Sequence, residues 1–102
     1  MSTKDFLNKI KFAVKSIDSD AELILFGSRA RGDNKKDSDW DILILTNKQV
    51  DVNFKNNILD KVYDIELEHV QAISTMIIDR KRWGKMAITG FYENVINEGK
   101  SL

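Results

Sequence analysis

The chain has 102 residues, and its 16 basic and 16 acidic side chains cancel to a formal charge of +0. That length fits one domain, residues 1–102, and the neutral balance excludes a whole-molecule field that would draw nucleic acid or an anionic membrane, so any phosphate affinity must be local. With no cysteine and one histidine, a disulfide framework, a thiolate zinc site and a histidine cluster are excluded too.

The opening run MSTKDFLNKIKF lacks the apolar core of a signal peptide, and no stretch approaches the roughly 20 apolar residues of a membrane span, so a soluble, cytoplasmic protein is expected. Phe6, Leu7, Ile10, Ala13, Val14 and Ile17 recur at three- and four-residue steps. They predict an amphipathic helix, capped by Ser2 or Thr3 and ending near SIDSDA. ELILF is short, apolar and bounded by Gly27, which fits a buried strand, and DWDILIL is a second one. Phe54, Ile58, Val62 and Ile65 return to helical spacing and predict a long helix over residues 52 to 68. Within it, VYDIELE also alternates as a half-exposed strand would; the register continuing from Phe54 favours helix. VQAISTMII is a β-branched third strand, DRKRWGK a basic turn or short helix, and GFYENVINEG a last amphipathic turn or two closed by Gly99. The fold class expected is α+β: a small mixed sheet with helices packed on one face.

The chemistry concentrates in FGSRARGDNKKDSDWDILIL. Side chains two apart on a strand share a face, so Asp39 and Asp41 point together while Trp40 joins Ile42 and Ile44 on the other face. Two ionised carboxylates that close repel, and a bound cation relieves them; hard oxygen donors without histidine or cysteine favour Mg2+ or Mn2+. In GSRARG, Gly27 lets a phosphate approach the backbone, Ser28 supplies a hydroxyl, and the following residues open a helical turn with free N–H groups. Arg29 and Arg31 add charge there. A phosphate-binding turn beside metal-binding carboxylates describes phosphoryl or nucleotidyl transfer.

FGSRARG followed by SDWDILIL resembles the glycine-serine and Asp-x-Asp motif of the polymerase-beta nucleotidyltransferase superfamily, and in particular its minimal, antitoxin-type members. The resemblance implies that Gly27 and Ser28 contact the triphosphate of a nucleotide, with ATP as the substrate the family suggests and Arg29 as a helper. It implies that Asp39 and Asp41 are catalytic and bind magnesium. That family usually carries a third carboxylate on a later strand. Here VQAISTMII has none, so either Ser74 stands in its place or Asp64, Glu66 or Glu68 supplies it. The implied reaction moves AMP onto a hydroxyl, such as a tyrosine of a helical HEPN-type toxin partner in a hetero-oligomer. The alternative is a non-catalytic nucleotide-binding antitoxin that masks its partner.

Other features read more simply. Arg29 and Arg31 are equally suited to pairing with Asp33 or Asp37, Gly32 is a turn glycine, and KRWGK is a solvated surface anchored by one ring rather than a nucleic-acid site. His69 reads as a capping or surface residue, and Phe91, Tyr92, Val95 and Ile96 as packing.

Overall fold

The computed structural model describes residues 2–102. Ser2 starts the first helix, α1 (Thr3–Lys15), by accepting the Asp5 N–H on its hydroxyl at 3.1 Å, which satisfies one of the amides a helix start leaves free. Strand β1 (Glu22–Phe26) leads through Gly27 into one helical turn, α2 (Ser28–Arg31), and a loop then returns the chain into β2 (Trp40–Thr46). Asp51 caps α3 (Val52–His69), with its carboxylate accepting the Phe54 N–H at 2.8 Å. The chain then forms β3 (Ile73–Asp79), α4 (Arg80–Lys85), α5 (Gly90–Glu98) and the two-residue β4 (Lys100–Ser101).

The sheet order is β3-β2-β1-β4. β1 runs antiparallel to both β2 and β4, while β2 and β3 are parallel, and α3 makes the crossover that a parallel pair requires. This is the expected mixed sheet, and residues 52 to 68 are helical. The third strand starts at Ile73 rather than at Val70, because Val70 ends α3 in the left-handed conformation at φ 52°.

Period-two alternation sends β2 to both faces. Trp40, Ile42 and Ile44 pack with Phe6, Ile10 and Val14 of α1 and with Ile58, Val62 and Ile65 of α3. Leu43 and Leu45 face the opposite way, onto Trp83 of α4 and Val95 of α5, with Phe91 and Tyr92 alongside. The two long helices therefore share one face as expected, and the short C-terminal helices cover part of the other. Trp83 is the anchored ring of KRWGK, whereas Ile96 is exposed. No helix among the described residues is long and apolar enough to cross a membrane.

One polar pair is buried inside this packing. Thr46 donates its hydroxyl to Asp18 and accepts the Lys48 N–H at 3.0 Å, while Asp18 also accepts the Asp20 N–H at 3.1 Å. These bonds tie the turn after α1 to the end of β2. Thr46→Val keeps the shape but leaves the Asp18 carboxylate short of a donor. It should lower stability by about 1–3 kcal/mol, seen as a reduced urea midpoint with an unchanged slope; an unchanged midpoint would show that the pair does not hold the turn.

Candidate functional site

The pairing registers place the motif residues. Asp41 lies opposite Phe26 of β1 on one side and opposite Ser74 of β3 on the other, so Phe26, Asp41 and Ser74 form a row across one face. Asp39 lies two residues earlier, on the same side. Burial raises the Asp41 pKa above the ordinary carboxylate value, the charge of Asp39 raises it further, and Arg31 partly offsets both.

Gly27 follows Phe26 directly and must pass beside Asp41. Its backbone sits at φ 74° and ψ −160°, a region essentially reserved for glycine, and a Cβ there would overlap the Asp41 carboxylate. The Ala30 and Arg31 N–H groups both bond to the Gly27 carbonyl at 3.1 Å, closing the α2 turn. The N–H groups of Ser28 and Arg29 have no partner within so short a turn. Gly32 ends α2 in the left-handed conformation at φ 86°. The motif thus brings Gly27, Ser28 and Asp41 together.

Arg29 sits elsewhere. Its guanidinium donates to the Ser38 carbonyl from Nε at 3.1 Å and from Nη2 at 2.8 Å, and to the Lys36 carbonyl at 3.1 Å, and it stacks on the Trp40 ring at 4.2 Å. It fastens the 32–38 loop and pairs with neither Asp33 nor Asp37. Arg31 is the arginine whose charge reaches Asp41; it bonds to Asp33 at 3.2 Å and Glu98 at 3.3 Å, and both bonds raise its pKa. The sequence does not separate its part from that of Arg29, because Glu98, 67 residues away, gives no local signal.

None of the three helix acids stands on this face. Glu66 accepts the Ile73 N–H at 3.0 Å, Glu68 pairs with Lys9, whose hydrogen bond lowers its pKa, and Asp64 is exposed on a helix packed over the opposite face. Ser74 occupies the place beside Asp41. No group of three or more His, Cys, Asp or Glu side chains among the described residues can enclose a metal. Two carboxylates remain, coupled to each other and bonded to no cation in the described salt bridges. That donor set suits a hard divalent ion that completes its shell with water and phosphate oxygens. His69 is half-buried against the edge of Phe6, on the far face.

A cleft of about 220 Å³ adjoins the turn, lined by Phe26, Gly27, Arg31, Phe91, Asn94 and Glu98. Two larger clefts, of about 450 and 490 Å³, lie away from the carboxylates, one at the opposite end of β2 and β3 and one under Trp40 and His69.

The family model described as nucleotidyltransferase domain matches residues 7–98, spanning the turn, both aspartates and every strand but β4. The chain belongs to this family. The nucleotidyltransferase domain is 32% identical over 99 residues to the "Putative protein adenylyltransferase MJ0604" of Methanocaldococcus jannaschii, covering 97% of this chain and 92% of that protein. Its fold matches two solved structures. One is a mutant toxin-antitoxin MntA-HpeT (TM-score 0.61, 21% identity) and the other a toxin-antitoxin with AMP-PNP (TM-score 0.62, 23% identity). Each match covers 92% of this chain and 69% of the solved one.

Two variants test the geometry of the nucleotidyltransferase motif. Gly27→Ala forces both the backbone and Asp41 to shift and should cost about 1–3 kcal/mol of stability, read by urea unfolding; a neutral result would show that the close approach is not enforced. For Asp41 the folded-state pKa is raised, so ionisation works against the fold. The penalty is absent at acid pH, where the group is protonated in both states, and grows as pH rises from the unfolded value through the folded one. Asp41→Asn should therefore raise the melting temperature at pH 7 in EDTA and give no such gain well below the ordinary Asp pKa of about 3.9. A wild type more stable than the variant at neutral pH without metal would contradict this.

Proposed function

We propose that the chain is a magnesium-dependent adenylyltransferase that moves AMP from ATP onto a hydroxyl of a partner protein, with a tyrosine of a HEPN-type toxin as the acceptor. The observation that carries this reading is the position of Asp41, between the Gly27–Ser28 turn on one side and the exposed Ser74 on the other, in a chain of the nucleotidyltransferase domain family. The likeness to a protein named as an adenylyltransferase and to toxin-antitoxin folds supports the choice of donor and partner.

In this reaction the acceptor oxygen bonds to the α-phosphorus, the bond from that phosphorus to the bridging oxygen breaks, pyrophosphate leaves, and the hydroxyl proton passes to solvent. Ser28 and the free amides of the turn hold the β- and γ-phosphates, and Gly27 admits them without a side chain. Asp39 and Asp41 would hold the divalent ion, which when bound neutralises phosphate charge and aligns the attacking and leaving oxygens. Arg31 adds positive charge on the same side as the turn. Arg29 acts one step back, keeping the loop that leads into Asp39 in place through the Ser38 and Lys36 carbonyls.

The residue beside Asp41 bears on the acceptor. Ser74 is a hydroxyl and takes no proton at neutral pH, so this face offers no base in the position of a third carboxylate. A phenol, with a pKa of about 10, needs far less activation than an aliphatic alcohol. A tyrosine acceptor suits such a site. The same absence favours a second reading, an antitoxin that binds nucleotide and neutralises its partner by masking it.

The two readings separate when the protein is incubated with α-labelled ATP, Mg2+ and the protein encoded in the adjacent reading frame, beside Asp41→Asn. Transfer predicts label on the partner, lost by at least about 100-fold in the variant, as for removal of one electrostatic group at a reacting centre. Neutralisation that persists unchanged in Asp41→Asn without label would sink the enzymatic reading in favour of masking. Binding itself predicts that ATP and Mg2+ at about 100 times the dissociation constant add about 2.7 kcal/mol of stability. Most of that gain should be absent in the double variant Asp39→Asn, Asp41→Asn.

A further inference from the structure

The chain is neutral as a whole, but its charge is not evenly spread. The cleft of about 450 Å³ at the far end of β2 and β3 is lined by Lys48, Arg80, Lys81 and Arg82, with Asp79 as its one carboxylate. Two segments distant in sequence build it: residues 46–50, which lead from β2 to α3, and residues 79–82, which lead from β3 into α4. Its place follows from the topology. β2 and β3 are the one parallel pair among the described strands, α3 crosses between them, and their last residues, Thr46 and Asp79, stand side by side at this cleft. A crevice outside the carboxyl ends of parallel strands is the usual ligand position in open α/β sheets. Asp41 and Thr46 lie at opposite ends of β2, so the cleft begins roughly 17 Å along the strand from the carboxylate pair.

The four cations are not spent on the fold. None of them makes a salt bridge among the described residues. Asp79 turns its carboxylate to the backbone, accepting the Arg82 N–H at 2.9 Å as the cap of α4. Two of the cations are nevertheless held in place. Arg80 donates from Nη2 to the Asp20 carbonyl at 3.0 Å, and Lys48 donates from Nζ to the Ile17 carbonyl at 3.3 Å. Both carbonyls belong to the turn after α1, which Asp18 and Thr46 fasten to the end of β2. Each contact uses one donor and neutralises no charge, so the remaining N–H groups stay available. Like charges gathered around one crevice repel, and a bound anion removes that repulsion.

We propose that this cleft is a second ligand site, separate from the carboxylate pair, and that it takes a compact anion carrying more than one phosphate group. Lys48 comes from one loop and Arg80, Lys81 and Arg82 from the other, so a ligand between them must present charge in both directions. A phosphate does so, because its oxygens point tetrahedrally and accept from both loops at once, whereas a planar carboxylate matches a single arginine fork. Asn47 and Gln49 add neutral amide donors to the same lining. No aromatic side chain lines the cleft. A single-stranded nucleic acid would find nothing there on which to stack a base, which favours a compact phosphate chain over a polymer. The site needs no metal, and it does not depend on the transfer reading.

The test is calorimetric titration of inorganic triphosphate into the protein in EDTA. The double variant Lys48→Gln, Arg82→Gln removes one cation from each loop, and Lys4→Gln, Lys61→Gln removes the same charge from exposed positions on α1 and α3. The wild type should bind triphosphate, and the cleft variant should bind it at least about tenfold more weakly, the scale of losing one hydrogen bond to a charged group. The control pair should keep the wild-type affinity, and so should Ser28→Ala. Lys81→Gln alone, whose side chain makes no hydrogen bond within the fold, should also weaken binding, and thermal melts without ligand should show both cleft variants folded. Unchanged affinity in the cleft variant overturns the proposal, as does affinity lost in Ser28→Ala instead, which would put the triphosphate on the Gly27 turn. Citrate that binds as tightly as triphosphate would show a sink for any anion and overturn the phosphate assignment. A single-stranded RNA that binds more tightly than triphosphate, and is released by the cleft variant, would overturn the compact ligand in favour of a nucleic-acid surface.

Discussion

Phe26 pairs with Asp41 across β1 and β2, and the residue that follows β1 must then pass beside the Asp41 carboxylate. Only glycine can do so, because both the backbone angles and the space exclude a Cβ. This one close approach couples the Gly27–Ser28 turn to a carboxylate pair. It also depends on the whole core, since the register that aligns Phe26 with Asp41 is enforced by Ile42 and Ile44 facing one helical layer and Leu43 and Leu45 facing the other. A slip of one residue would turn Asp41, Leu43 and Leu45 together under the α1–α3 layer and move Trp40, Ile42 and Ile44 to the other face.

The electrostatics follow from the same placement. Asp41 carries a raised pKa because it is partly desolvated and faces Asp39, and among the described residues no cation bonds to it directly. Arg31, the one arginine that bears on it, is shared with Asp33 and Glu98. The negative charge of the pair is therefore only partly offset. Arg29 serves a different purpose. Clamped on two backbone carbonyls and the Trp40 ring, it limits the freedom of the loop that delivers Asp39, so that the two carboxylates meet the turn in a fixed relation.

Much of this was legible along the chain because its periods are clean. Ile42, Leu43, Ile44 and Leu45 run apolar without a break as a strand buried on both faces should, and Phe54, Ile58, Val62 and Ile65 step as a helix should. The ambiguous stretch VYDIELE is explained by the surface: Tyr63 and Leu67 are exposed apolar residues two positions either side of the buried Ile65, and they make the strand-like alternation Tyr63, Ile65, Leu67 across a helix whose buried stripe is Ile58, Val62 and Ile65. What stayed hidden is non-local. Arg29 stands next to Ser28 in sequence, but a long side chain can turn to carbonyls nine residues on, and nothing in SRARG reveals the choice. The short strand Lys100–Ser101 has no strand pattern, and it exists because Ile24 and Leu25 offer an edge to pair with. The neighbour of Asp41 on β3 depends on a parallel pairing with a strand beyond the whole of α3, which no local pattern records.

The two edges of the sheet show how these constraints divide the molecule. At one edge the C-terminal residues cover β1: Lys100 and Ser101 pair with Leu25 and Ile24, the Leu102 N–H bonds to the Leu23 carbonyl at 2.9 Å, and Gly99 makes the turn against Val95 and Ile24 that a side chain would block. That side carries the Gly27–Ser28 turn, which follows directly on the strand so covered. At the other edge the first amide of β3 is closed by Glu66, and no further strand among the described residues pairs with it. An open edge bordered by exposed apolar residues invites association and is usually covered or blunted with charge. Here it lies one strand away from Asp41, on the side of the exposed Ser74. The fold thus closes the edge beside the Gly27 turn with residues 99–102 and leaves the backbone of the edge beyond Ser74 unpaired with any further strand.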